Sequence, residues 1–89
     1  MKKYLFLFGV TVARETAKAA LDASPLVKTW RHDLPHSFYI VSAASAQELF
    51  EDISPRIQGK KRFLIIEISS TNKQGLLPKD TWEFLNKTF

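Results

Sequence analysis

Hydrophobic residues in this chain follow two distinct patterns. The segments KYLFLF, FYIV and FLIIEI are apolar at nearly every step, whereas a strand turns alternate side chains to opposite faces. Such strands need cover on both sides. Lys3 to Phe8 predicts a first strand, with Tyr4, Phe6 and Phe8 on one face and Leu5 and Leu7 on the other, and Gly9 lets the chain leave the sheet. From Ala13 to Ala23 the residues favour a helix, with Ala13, Ala17, Ala20 and Leu21 on one stripe and charged residues opposite. Ser24-Pro25 ends it. Leu26 to His32 and Phe38 to Ser42 predict two strands joined as a hairpin.

Ser45-Ala46-Gln47-Glu48 has the spacing of a capping box, in which serine and glutamate side chains each satisfy a backbone N–H at a helix start. The following Leu49, Phe50, Ile53 and Ile57 keep helical spacing, with a kink or early end expected at Pro55 and a stop at Gly59. Arg62 to Ile68 is the clearest strand, interrupted only by Glu67. A polar loop, Ser69 to Gly75, leads to a last short helix from Pro78 to about Asn86.

This order is the split β-α-β arrangement of the ferredoxin-like fold: an α+β, βαββαβ two-layer sandwich, here with an additional short C-terminal helix. Residues 1–89 form one domain. Both main helices are expected on the face carrying Leu5, Leu7, Leu64, Ile66 and Ile68. The other face then exposes Tyr4, Phe6, Phe8, Phe63 and Ile65, while the facing of the third strand stays open. Two copies packing sheet to sheet would bury that aromatic stripe, with Trp82 as a further anchor. Cover by the C-terminal helix, or stacking of nucleic-acid bases, are the alternatives.

Composition narrows the chemistry. With 45% hydrophobic and 25% charged residues the chain is an ordinary globular domain. The absence of cysteine removes disulfides, thiol nucleophiles and thiolate metal sites, and is compatible with a cytoplasmic setting. No apolar run approaches the ~20 residues of a membrane span. The Met1-Lys2-Lys3 start has the outline of a signal peptide, but its removal would take a strand from the sheet, so it reads as the first strand. Much of the net charge of +4 lies between Arg56 and Arg62, where Arg56, Lys60, Lys61 and Arg62 could contact nucleic acid or simply form a solvated helix end.

His32, Asp33 and His36 are the only cluster of imidazoles and carboxylate, candidates for acid–base or metal chemistry that also suit a polar hairpin tip. A third strong metal ligand is missing unless Asp33 turns in. Glu67, inside an apolar strand, is the carboxylate expected to be partly buried, as a base or as an ion-pair partner. Neither a phosphate-binding glycine loop nor a nucleophile elbow is present, and no cofactor is implied.

Taken together, TWRHDLPHSFYIVS, the SAQEL helix start, RFLIIEIS and QGLLPKDTWEFL resemble small bacterial SinR-like proteins. This ferredoxin-like group is akin to the small CRISPR-associated spacer-integration subunit. The likeness is carried by Trp30, His32, Leu34, Ser37 and Ile40, by Gly75, Leu76 and Leu77, and by Trp82 and Leu85. The resemblance implies dimerisation through the sheet and, by fold analogy, nucleic-acid scaffolding or metal-dependent nuclease activity. The CRISPR-associated relatives place an acidic residue at the end of the first strand, but this chain has no Asp or Glu between Lys3 and Glu15. The expectation is therefore a non-catalytic homodimeric interaction or scaffolding domain, with weak nucleic-acid binding or a degenerate metal-dependent nuclease as the alternative.

Overall fold

A computed structural model describes residues 1–59 and 61–89. The described residues form strands β1 (Lys2–Phe8), β2 (Thr29–Arg31), β3 (Ser37–Ser42) and β4 (Phe63–Glu67), with helices α1 (Arg14–Ala23), α2 (Ala46–Ile53) and α3 (Lys79–Asn86). The strands make one antiparallel sheet in the order β2-β3-β1-β4.

Local chemistry sets the boundaries. The capping box opens α2 as its spacing requires: the Glu48 amide donates to Ser45 Oγ at 3.1 Å and the Ser45 amide to Glu48 Oε1 at 3.0 Å. Pro55 ends the helix early, in a 3-10 turn at Ser54–Arg56, because proline has no N–H for the interior ladder. The second strand is shorter than expected. Leu26 and Val27 are held in a turn by Ser24, whose Oγ and carbonyl accept from their amides, and pairing with β3 begins only where the Lys28 amide donates to Val41.

Register fixes the faces, since cross-strand partners point to the same side. One face carries the rows Trp30, Ile40, Tyr4, Glu67 and Phe38, Phe6, Ile65, then Phe8 with Phe63. Against it pack Ala17, Ala20 and Leu21 of α1, Leu49 and Ile53 of α2, and Ile57. This reverses the expected assignment. Tyr4, Phe6 and Phe8 are buried in the core, and Phe63 and Ile65 are half-buried against it.

The physical reason lies in volume. The alanine stripe of α1 adds little bulk of its own, so the layer is filled from the sheet by large rings. Phe6 meets Phe63 edge-on at 5.6 Å, Phe8 stacks on Phe38 at 5.9 Å and Trp30 meets Phe38 edge-on at 5.1 Å. The Tyr4 hydroxyl donates to the Ala44 carbonyl at 2.6 Å, which lets a phenol close one end of the core.

The opposite face is covered in part by α3. Its Thr81 and Leu85 are buried, as are Tyr39 and Val41 on that side of β3. Arg31 holds the helix down: Nε donates to Thr81 Oγ1 at 2.9 Å and the guanidinium pairs with Asp80 at 2.7 Å. Phe89 beyond the helix lies under the Lys3 ammonium at 5.6 Å. These contacts place α3 over the β2, β3 and Lys3 side. The β1–β4 side keeps an open apolar patch.

Candidate interaction surface

The patch is short and continuous. Leu7 of β1 sits directly opposite Leu64 of β4, and Leu5 opposite Ile66. Leu7 is 45% exposed, Leu64 53% and Ile66 52%. Where β1 ends, Leu7, Val10, His36, Arg62 and Leu64 border a shallow groove of about 450 Å³. On the helix side of β4, Phe50 of α2 is half exposed and lies 5.4 Å from the ring of Phe63.

β4 is also the sheet's edge, and its hydrogen-bond parity can be read directly. The Gly9 amide donates to the Arg62 carbonyl at 2.9 Å and the Ile68 amide to the Lys3 carbonyl at 2.8 Å. Residues 62, 64, 66 and 68 therefore direct their backbone groups toward β1. Phe63, Ile65 and Glu67 direct theirs outward, away from the sheet.

Of the residues expected to form a dimer interface, Tyr4 and Phe6 lie away from this surface in the core, while Phe8 and Phe63 reach the floor of the groove. Tyr4, Phe6 and Phe8 are buried in the core and Phe63 and Ile65 are half-buried against it beneath the helices, so the five do not form an open platform for stacking bases. Trp82 lies half-buried on α3, within reach of any side chain placed at Gly75. Periodicity alone could not separate the two faces, because both were apolar. The legible signal was the alanine stripe, which calls for bulky partners across the layer.

The polar candidates are dispersed. His32 lies on the helix side with its ring 5.0 Å from Phe38, and its Nε2 is buried without a hydrogen-bond partner. His36 adopts a positive φ of 61° at the turn and meets the ring of Phe8 edge-on. Asp33 stands near Tyr39 on the other side: burial raises the Tyr39 phenol pKa first, and the Asp33 charge adds to it. Among the described residues no three histidine, aspartate or glutamate side chains gather as a metal site would need. The HDLPH segment is a hairpin connection whose side chains pack separately.

Among the basic candidates, Arg56 is engaged by Asp52 at 3.2 Å and borders a concavity with Lys61, while Arg62 borders the apolar groove. Lys60 lies outside the described residues. Glu67, expected to be partly buried, is exposed, because it stands on the edge strand with a neighbour, Tyr4, on one side only. No helix among the described residues is long and apolar enough to cross a membrane.

Comparison with family models, curated proteins and solved structures yields no match. The functional reading therefore rests on the surface itself.

Proposed function

We propose that this chain is a ferredoxin-like, non-catalytic interaction domain that associates with a second copy of itself in a cytoplasmic setting. Two β-α-β units and the antiparallel order β4-β1-β3-β2, read from the β4 edge, support the fold assignment. The observation that carries the function is the exposure of Leu7, Leu64 and Ile66 side by side. Isolated surface leucines are ordinary, but a contiguous apolar patch favours a protein partner. The resemblance to SinR-like proteins points the same way, toward dimerisation through the sheet.

Sedimentation of the full chain tests this. The expected mass is twice the 10.2 kDa of the chain at micromolar concentration. Leu64→Asp, which puts a charge at the centre of the patch without touching the core, is expected to give monomers with an unchanged circular dichroism spectrum. A wild-type chain that remains monomeric at about 100 µM, near the weak end of specific association, sinks the reading.

A further inference from the structure

We propose that β4 pairs antiparallel with the β4 of a second copy about a two-fold axis at Ile65, joining two four-stranded sheets into one. This rests on the self-association reading above and specifies its geometry. The outward N–H and C=O groups of Phe63, Ile65 and Glu67 are a template for another strand. On a two-fold at Ile65 they match: Ile65 faces Ile65 of the copy as a hydrogen-bonded pair, and Phe63 faces Glu67. Leu64 then lies opposite Ile66, so the two open patches merge.

A second copy is supported over other partners by a local match of opposite charges and by the distribution of apolar surface. Glu67 is the single charged residue within β4, and in this register it stands diagonal to Lys61 of the copy, on the same face. A strand beside β4 would also cover apolar side chains on both sides of the sheet, Leu64 and Ile66 on one and Phe50 on the other. Packing two sheets face to face would cover only the first pair. It would leave Phe50 and the backbone edge in water.

Cysteine substitution separates the two arrangements, and the natural chain contains no cysteine to interfere. In the proposed pairing the Ile65 Cα atoms lie ~5.5 Å apart, within the ~4.4–6.8 Å a disulfide spans. Ile65→Cys is therefore expected to cross-link copies under mild oxidation. Leu64→Cys alone should not, whereas Leu64→Cys with Ile66→Cys should. In a face-to-face dimer the order reverses, since Ile65 points into its own helix layer while Leu64 faces the copy.

A charge exchange keeps the proposal testable should the core-facing Ile65 variant fold poorly. At ~0.15 M salt, where a Debye length of ~8 Å screens the net charges of the two chains, Glu67→Lys and Lys61→Glu are each expected to weaken association roughly five-fold through like charges across the pair, and the double variant to restore it. A dimer that cross-links through Leu64→Cys but not Ile65→Cys, or that ignores the charge exchange, overturns the pairing and leaves self-association standing. A monomer overturns both.

Discussion

Phe6 and Leu64 are both large apolar residues on neighbouring strands, yet they carry opposite duties. Phe6 is fully buried among Phe8, Phe63 and the helices, so Phe6→Ala should destabilise the fold by about 3–5 kcal/mol, as ring removal leaves a cavity. Leu64→Ala should leave denaturant unfolding of the monomer within about 0.5 kcal/mol of wild type. Equilibrium urea unfolding at a concentration that keeps the variants monomeric checks the contrast; equal costs would contradict the face assignment. Tyr4 needs only one adjustment to complete the core. Its hydroxyl satisfies the Ala44 carbonyl, so Tyr4→Phe should cost about 1 kcal/mol in the same measurement. Composition distinguishes none of these residues, and strand alternation groups them correctly while leaving the choice of face undecided. What decides it is the small stripe Ala17 and Ala20, whose lack of volume must be matched by rings from the sheet.

At the scale of elements, the signals that proved legible are those written in a few adjacent residues. The capping box of α2, its termination at Pro55 and the strand character of FLIIE are local, and each appears near its expected position. The docking of α3 was not legible in that way, since it depends on Arg31 reaching Thr81 and Asp80, fifty residues away in the chain. That attachment should depend on pH. The hydrogen bond from Arg31, aided by its charge, holds the Asp80 carboxyl below its ordinary pKa. A depressed folded-state pKa means the stabilisation is fully present above the unfolded value near ~3.9 and is lost as pH falls through the lower folded value. Trp82 on α3 reports this directly. Its fluorescence, separated from that of Trp30 in a Trp30→Phe background, should change as pH is lowered through this range, and Asp80→Asn should remove the transition. An unchanged acid transition in that variant would assign it to another carboxylate, with Asp52, held low by Ser24 and Arg56, as the next to test.

For the whole molecule, the two modes of association that a basic surface and an apolar patch could support respond to salt with opposite sign. Each chain carries a net charge of +4, so two copies repel one another. Across the ~25 Å width of the domain that repulsion is ~2.7 kcal/mol unscreened in water. With a Debye length of ~30 Å at 0.01 M salt, roughly 1 kcal/mol remains, and at 1 M almost none does. The contacts that hold the copies together are apolar side chains and backbone hydrogen bonds, which screening leaves intact, and the exposed pairs of Glu67 with Lys61 contribute too little to reverse the balance. Self-association should therefore strengthen about five-fold between those salt concentrations, measured by sedimentation or by dilution of a labelled chain. Binding to DNA or RNA through Arg56, Lys61 and Arg62 would instead weaken steeply over the same range as condensed counterions return to the phosphates. Self-association that fades with salt would mean that ionic contacts hold the copies together, and β4 would lose its place as the centre of the interface.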